Sequence, residues 1–261
     1  MFDFHMHSTV SFDGHDGPEQ MIAVAKKAGL REICFTDHID YVKNSDDHSM
    51  VFDSLVYHQA YDALQAEGVL IRRGMEFGLY PDNAAMLHQD LSRANFDFVL
   101  GSVHFVDEFD VYFKEFWDGK TVHQAERMYL ETTLECVKAH EDFDVLGHLT
   151  YISKARAHHA PRPVPYEEHR QVVDEILRQL ARKEKGMEMN TSGVDRCGDF
   201  LPFATYFRRF RELGGRIVTV GSDAHTADRV GQYTHRACEI LKDIFGYVCT
   251  FQGREPIFHT L

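Results

Sequence analysis

The sequence lacks the features that would place it in a membrane or in an oxidising compartment. It has no apolar run of about 18 residues, so we expect no membrane-spanning helix. Its 5 cysteines are an odd number without a C-x-x-C pair, which argues against a disulfide framework and against a thiolate zinc site. No basic segment followed by an apolar one opens the chain, which predicts a cytoplasmic protein without a signal peptide.

Positive charge is also scarce. The chain has 28 Lys and Arg against 41 Asp and Glu, and its formal net charge is −13. Such a field repels the phosphates of nucleic acids, and there is no basic run interleaved with aromatic residues. We therefore expect neither a nucleic-acid nor a membrane partner, and no pattern in the sequence predicts an oligomeric state. The abundant residue is histidine, with 17 copies.

Short apolar runs alternate with longer amphipathic segments. This alternation indicates βαβ units and a parallel sheet. About seven units without a long linker predict one α/β barrel domain over residues 1–261. The predicted strands are Phe2–His7, Glu32–His38, Val69–Glu76, Asp97–His104, Phe143–His148, Gly186–Asn190 and Arg216–Asp223, with Tyr247–Phe251 as a candidate for an eighth, irregular strand. The predicted helices are Pro18–Gly29, Val51–Glu67, Asn83–Ala94, Thr121–His140, Tyr166–Lys185, Phe200–Gly214 and Asp228–Phe245.

Each predicted strand ends in a candidate metal ligand or another polar side chain. In a parallel barrel these strand ends meet at one rim, where active sites form. His5 and His7 alternate with Met6, so both imidazoles lie on one face of the first strand. The candidate ligands are His5, His7, Asp13, His38, Glu76, His104, His148, Asp223 and His225.

This set consists of nitrogen and oxygen donors, which suit Zn²⁺, Fe²⁺ or Mn²⁺. It is too large for one ion and fits two or three divalent ions that share bridging ligands. Ions clustered about 3.5–4 Å apart are a common device in phosphoryl chemistry. We predict that the other histidines in helical or terminal segments are surface residues: His48, His58, His88, His123, His140, His169, His235 and His259.

Taken together, the strings HMH, TDH, GMEFG, GSVHF, VLGHL, MEMNTSG and VGSDAH resemble the PHP (polymerase and histidinol phosphatase) superfamily. The longer strings LGSVHF, FDVLGHLTYI and GGRIVTVGSDAH are similar to those of its monofunctional histidinol-phosphatase branch. The resemblance covers essentially the whole chain. It implies a distorted (β/α)7 TIM-like barrel with a trinuclear metal centre at the C-terminal rim of the strands.

The resemblance also implies how the ligands are shared. The first ion would take His5, His7, Glu76 and Asp223, and the second would take the bridging Glu76 with His104 and His148. The third would take Asp13, His38 and His225.

For the substrate phosphate, the resemblance implies His15 and basic residues after the fifth and sixth strands. The candidates there are Lys154, Arg156 and Arg196, with Asn190 beside them. Bidentate binding by guanidinium favours Arg156 and Arg196, and Lys154 remains an alternative.

The implied reaction is hydrolysis of a phosphate monoester, L-histidinol phosphate, to L-histidinol and phosphate in histidine biosynthesis. We hypothesise that a hydroxide bridging two ions attacks phosphorus, with Glu76 and Asp223 holding the ions. His15 or metal-bound water would protonate the leaving oxygen.

Three other functions are compatible with the motifs. One is a PHP-type phosphoesterase acting on nucleotides, oligonucleotides or another small phosphate ester, although the net charge of −13 counts against polynucleotides. An amidohydrolase barrel also begins with an HxH motif, but Glu76 on the third strand fits the PHP pattern better. The last is a metal-binding module without catalysis, which we disfavour because every expected ligand position is filled.

Overall fold

The computed structural model describes residues 1–44, 46–155 and 162–261. In this part of the chain, seven parallel strands form a nearly closed barrel surrounded by helices, which confirms the predicted fold class. The strands are β1 (Phe2–Asp3), β2 (Glu32–Phe35), β3 (His38–Ile39), β4 (Leu70–Gly78), β5 (Phe98–Ser102), β6 (Phe105–Val106), β7 (Phe109–Asp110), β8 (Val145–Leu146), β9 (Gly186–Asn190), β10 (Val218–Gly221), β11 (Tyr247–Gln252) and β12 (Glu255–Thr260). The helices are α1 (Pro18–Lys27), α2 (Ser54–Tyr61), α3 (Ala84–Arg93), α4 (Lys114–Trp117), α5 (Val122–Ala139), α6 (Arg170–Arg182), α7 (Gly193–Cys197), α8 (Ala204–Glu212) and α9 (Thr234–Ile244).

The barrel strands follow the order β1, β2, β4, β5, β8, β9, β10, and each pairs in parallel with the next. The first and last strands approach each other through a parallel bridge between Met6 and Ala224. The Phe4 amide also donates to the Val220 carbonyl at 2.9 Å. This contact brings the HMH segment, with His5 and His7, next to the DAH segment, with Asp223 and His225.

The barrel interior is apolar below the rim. Its core contains Phe4, Cys34, Phe98, Leu100 and Val145, all at most 1% exposed. Phe4, just after β1, meets Phe98 on β5 with ring centroids 5.6 Å apart, so apolar side chains from strands that are not neighbours fill the interior. These apolar side chains fill the interior below the rim, and the polar side chains lie at the rim.

The helices cover the outside of the barrel with one apolar face each. On α6, the buried apolar residues recur at helical spacing as Val172, Val173, Ile176, Leu177 and Leu180. Pro18 is the first residue of α1, while Gly29 and Gly214 follow their helices with φ values of 71° and 94°. These are the positions at helix ends that proline and glycine favour.

Several predicted elements are longer than the observed ones, for local reasons. The predicted helix over Val51–Glu67 begins only at Ser54, because the Asp53 carboxylate caps the amides of Leu55 and Val56 at 2.8 and 3.0 Å. The helix predicted from Asp228 begins only at Thr234, and the residue before it has a left-handed φ of 60°. Hydrophobic pattern alone does not locate such capping and turn residues.

The predicted eighth strand exists but does not belong to the barrel. β11 pairs antiparallel with β12, and their two-residue turn, Gly253 and Arg254, has positive φ at both positions. This is the geometry of a tight hairpin. Phe251 packs on Phe98 with ring centroids 5.0 Å apart, so the hairpin covers the barrel end opposite the rim.

An ion pair fastens this hairpin to the barrel. Arg254 contacts both carboxylate oxygens of Asp144, at 2.5 and 2.7 Å, just before β8. Burial raises the pKa of the Asp144 carboxyl even though Arg254 beside it acts in the opposite direction.

We expect Arg254→Met to lower the free energy of unfolding by about 3 kcal/mol, because it leaves a buried carboxylate without its cation. Urea denaturation measures the change. Arg182→Met is the matched control, since Arg182 is 67% exposed and pairs with Glu175 at 3.5 Å. Loss of that exposed pair should lower the free energy of unfolding by about 1 kcal/mol or less. Equal losses in the two variants would contradict the role of the Arg254 pair.

No helix in the described residues is both long enough and apolar enough to cross a membrane.

Candidate metal centre

The Glu76 carboxylate is the centre of the cluster at the rim. It lies near the end of β4, is fully buried, and five imidazoles surround its two oxygens. Oε1 lies 2.8 Å from His148 Nε2 and 3.4 Å from His104 Nε2, while Oε2 lies 3.1 Å from His5 Nε2, 3.4 Å from His7 Nε2 and 3.4 Å from His38 Nδ1. The barrel thus brings together side chains from five separate parts of the chain.

One group of ligand atoms has the spacing of a tetrahedral metal site. His5 Nε2 and His7 Nε2 are 3.1 Å apart, and each lies 3.6 Å from Asp223 Oδ1. Two ligands bound to one zinc ion at 2.0–2.1 Å and tetrahedral angles lie about 3.3 Å apart. His5, His7 and Asp223 thus form a group that could hold one cation, and Glu76 Oε2 lies 3.1 and 3.4 Å from the two imidazoles. These four residues are the members of the first predicted set.

Two further groups surround this one. Glu76 Oε1, His148 Nε2 and the His104 Nε2 atom form a second group on the other side of the carboxylate. Asp13 Oδ2 lies 2.9 Å from His225 Nε2 and 3.5 Å from His38 Nε2, which forms a third. All nine predicted ligands therefore lie in one region of the rim. Their close groups overlap: His5 also groups with Glu76 and His148, His7 with Asp13, His38 and His225, and His104 with His38 and Asp40.

The donor chemistry also fits cations. His7 and His148 are almost completely buried, and their Nδ1 atoms have no hydrogen-bond partner among the described residues. These atoms are the ring nitrogens opposite the Nε2 atoms that face Glu76, so each imidazole presents one nitrogen to the cluster. The 3.1 Å between His5 Nε2 and His7 Nε2 fits a hydrogen bond and also fits two nitrogens that bind one cation.

Burial and neighbouring charges shift the pKa values of the residues in the cluster. Burial opposes a charge on His104, but Asp40 and Glu76 outweigh it and raise the pKa of His104 to about 10. Burial likewise favours a neutral Glu76, yet His5, His38 and His104 hold the pKa of Glu76 well below its usual range. Because metal ligands must be deprotonated, cations that enter this cluster displace protons.

Asp40 belongs to the site, although the sequence analysis did not identify it. Its Oδ2 lies 2.9 Å from His38 Nδ1 and its Oδ1 lies 2.9 Å from His104 Nδ1. One carboxylate therefore orients two imidazoles, leaving the Nε2 atom of each free to face a cation. Two signals point to it: Asp40 is two residues after His38, and a Cβ at Gly78 would lie 2.1 Å from its Oδ1.

Glu188 has the same positioning role for His5. Its Oε1 lies 2.7 Å from His5 Nδ1, and its Oε2 accepts the His148 amide at 2.8 Å. A Cβ at Gly221 would lie 2.2 Å from Glu188 Oε1, so the glycine of the VGSDAH string makes room for this contact. No local pattern in the sequence indicates this role of Glu188.

We expect Asp40→Asn to weaken metal binding about 10–100-fold, as is typical when a carboxylate that orients ligating histidines is lost. The measurement is zinc retained per chain in a series of chelator concentrations. Asp90→Asn is the control, because Asp90 is also buried but accepts from Tyr41 at 2.9 Å. Equal zinc retention in the wild type and Asp40→Asn would contradict the positioning role.

A cavity of about 480 Å³ opens above the metal ligands, within the usual size of small-molecule sites. His15, Lys154 and Arg196 line it together with Glu76 and Asp223. Lys154 Nζ contacts Asp223 Oδ2 at 2.5 Å. Three of the predicted phosphate ligands therefore face one space beside the metal ligands, while Arg156 lies outside the described residues.

The neighbours of Arg196 account for its position. Asp195, the residue before it, binds Arg229 and accepts a hydrogen bond of 2.7 Å from the Tyr233 hydroxyl, away from the cavity. Arg196, on the same short helix, lines the cavity.

Asn190 lies inside the cluster of polar side chains. It is fully buried, and its amide nitrogen lies 3.3 Å from Asp223 Oδ2 and 3.2 Å from Glu188 Oε2. It is not among the described residues that line the cavity. The contact of Asn190 with phosphate stays a prediction.

Two histidines that we predicted to be on the surface are buried. His140 is 0% exposed and contacts the Tyr80 carbonyl through Nε2 at 2.8 Å. His169 is 2% exposed and contacts Glu126. Helical periodicity alone did not reveal these buried polar contacts.

Comparisons with known proteins agree with this geometry. The PHP domain model matches residues 3–192. A histidinol-phosphatase from Lactococcus lactis is 34% identical over 96% of this chain and 94% of its own length. A probable histidinol-phosphatase from Clostridium acetobutylicum is 32% identical over 88% of this chain and 89% of its own length.

A solved structure shares both the fold and the sequence pattern. It is histidinol phosphate phosphatase from Lactococcus lactis, complexed with zinc, L-histidinol and phosphate. The match has a TM-score of 0.88 and 31% identity, and it covers 98% of both chains. The matching family model and these near full-length relatives show that the chain belongs to the PHP family, in its histidinol-phosphatase branch.

Proposed function

We propose that this protein hydrolyses L-histidinol phosphate to L-histidinol and phosphate in histidine biosynthesis. The observation that carries the proposal is the cluster of imidazoles around Glu76, directly beneath a cavity that also contains Lys154, Arg196 and His15. Relatives that match nearly the full chain support the choice of substrate, since one was solved with zinc, L-histidinol and phosphate.

We propose that divalent ions occupy the three ligand groups around Glu76. His5, His7, Glu76 and Asp223 would hold the first; Glu76, His104 and His148 the second; Asp13, His38 and His225 the third. When bound, such ions lower the pKa of water so that it can attack phosphorus near neutral pH, and they offset charge on the phosphate oxygens.

The protein's own side chains would orient the phosphate and move the proton. Lys154 and Arg196 are the cationic groups of the described cavity, and they would bind the phosphate oxygens as negative charge shifts towards the leaving group. His15 is exposed at the cavity and its backbone amide donates to the His225 carbonyl at 2.9 Å. This tether would keep its imidazole near the leaving oxygen, to which it would give a proton.

The rest of the cavity suits the cationic alcohol part of the substrate. Asp110 lines it along with Phe12, Tyr112 and Phe113. An imidazole and an amine that carry positive charge would be attracted by the Asp110 carboxylate and by the faces of aromatic rings. This arrangement favours histidinol phosphate over esters with uncharged or anionic leaving groups.

Steady-state kinetics on the zinc-, manganese- and iron-loaded protein test the proposal. We expect kcat/KM for L-histidinol phosphate to exceed the values for p-nitrophenyl phosphate and AMP by at least about 100-fold. A 5′-phosphorylated oligonucleotide serves as the control for polynucleotide substrates. Faster hydrolysis of any of these alternatives, or no release of phosphate from histidinol phosphate, would overturn the proposed substrate.

We further propose that residues 1–261 act as one catalytic domain in the cytoplasm. Ligands that range from His5 to His225 support the first part, because a single site draws on most of the chain. The five cysteines, all buried and free, support a reducing compartment.

A further inference from the structure

A second group of ligand-type side chains lies outside the catalytic rim. His123 is near the start of α5, and Glu168 and His169 form the 3₁₀ turn that leads into α6. One ligand atom from each of the three lies within 4.8 Å of the others. We call His123, Glu168 and His169 the α5–α6 cluster; none of them lines the cavity above Glu76.

The buried member of the cluster is already oriented as a metal ligand. His169 is 2% exposed, and its Nε2 contacts Glu126 Oε2 at 2.9 Å. Its Nδ1 has no hydrogen-bond partner among the described residues. Histidines that bind metals typically donate their other ring nitrogen to a carboxylate, which is the arrangement of Glu126 and His169.

The other two members supply a second nitrogen and an oxygen at an accessible edge. His123 Nδ1 lies 3.7 Å from Glu168 Oε2, and these side chains are 56% and 53% exposed. The His123 ring stacks on that of His169, with centroids 4.6 Å apart and planes inclined by 18°.

A simple ion pair does not account for this arrangement. An exposed His–Glu pair at 3.7 Å contributes little stability, and it leaves the buried His169 Nδ1 unsatisfied. A cation bound to His169 Nδ1 would satisfy that atom and bring together all three side chains.

We propose that His123, Glu168 and His169 bind one divalent transition-metal ion of the zinc type, with water completing its coordination. The two-nitrogen, one-oxygen donor set suits such ions better than Mg²⁺ or Ca²⁺. Bound there, the ion ties the first turn of α5 to the turn that begins α6. This site is separate from the proposed catalytic ions and does not depend on the identity of the substrate.

Chemical modification of individual histidines tests the site in the metal-loaded enzyme. Carbethoxylation by diethylpyrocarbonate, followed by peptide mapping, is measured with and without added Zn²⁺. We expect added Zn²⁺ to slow modification of His123 at least about 10-fold. His235 is the matched control, because it is 68% exposed and also pairs with a glutamate, Glu239, at 3.7 Å, but within one helix. Its modification rate should not change.

Zinc stoichiometry gives an independent measurement. His123→Ala and Glu168→Gln should each bind about one zinc fewer per chain than the wild type, whereas His235→Ala should bind the same number. Hydrolysis of histidinol phosphate should remain unchanged in all three variants. Unaltered His123 reactivity in saturating Zn²⁺, or wild-type stoichiometry in His123→Ala, would overturn the proposal. Because catalysis is not the readout, this result is independent of any failure of the proposed function.

Discussion

Glu76→Gln is expected to remove the catalytic metal ions and to lower turnover of histidinol phosphate by at least about 10³-fold. Loss of a single charge-stabilising group in an active site already costs about 10²–10³-fold. Glu76 contributes to two of the three ligand groups, since its Oε1 faces His148 and its Oε2 faces His5. Its loss therefore affects more than one ion.

The physical reason is the difference between a carboxylate and an amide. Glutamine has nearly the same volume, but it has one acceptor oxygen, and its NH₂ group can only donate. The side chain is fully buried, so solvent cannot replace the missing oxygen. Metal analysis of the purified variant, alongside its activity, separates loss of ions from a purely chemical defect.

Glu32→Gln is the matched control for this prediction. Glu32 is 3% exposed and binds Arg72 at 2.6 Å near the start of β2, away from the rim. This variant should keep its ions and its activity even if it loses some stability. Full activity and normal metal content in Glu76→Gln would refute the bridging role.

Lys154→Met is expected to lower kcat/KM by about 10²–10³-fold while the metal content stays near normal. Lys154 lies against one of the proposed catalytic carboxylates: its Nζ contacts Asp223 Oδ2 at 2.5 Å, and its side chain is 12% exposed. Burial favours a neutral Asp223, but Lys154 and then His5 hold the pKa of that carboxyl well below its usual range.

Two roles for Lys154 can be separated experimentally. If Lys154 binds the phosphate group, Lys154→Met weakens inhibition by inorganic phosphate and raises KM. Lys154→Arg should then restore part of the phosphate inhibition and part of the lower KM. If it only neutralises Asp223, phosphate inhibition stays unchanged and metal affinity alters instead. Arg229→Met is the control, because Arg229 pairs with Asp195 and is 49% exposed. Unchanged kcat/KM in Lys154→Met would indicate that Arg196 or Arg156 binds the phosphate group instead.

The ligand types and their approximate places could be predicted from the sequence because the relevant rules are local. Alternation along a strand puts His5 and His7 on one face, and a parallel barrel brings strand ends to one rim. In the structure all nine side chains lie close together at the rim, and their binding of metal ions stays a prediction.

The missed residues depend on distances that no local pattern contains. Asp40 orients His104 across a separation of 64 residues, and Glu188 orients His5 across 183. Gly78 and Gly221 leave the space that these contacts need, because a Cβ at either glycine would overlap the neighbouring carboxylate. The sequence alone does not show this, since it does not say which strand lies next to each glycine.

By itself, the sequence determined a barrel of alternating strands and helices, a nitrogen–oxygen ligand set and its convergence at one rim. Only the tertiary structure decided which candidate ligands lie within a few ångströms of one another, that Lys154 contacts Asp223, that β11 and β12 lie outside the barrel and that His169 is buried. The reason is physical: periodicity reports which face of an element a residue occupies, whereas closure of the barrel and packing of its helices set the few ångströms between side chains.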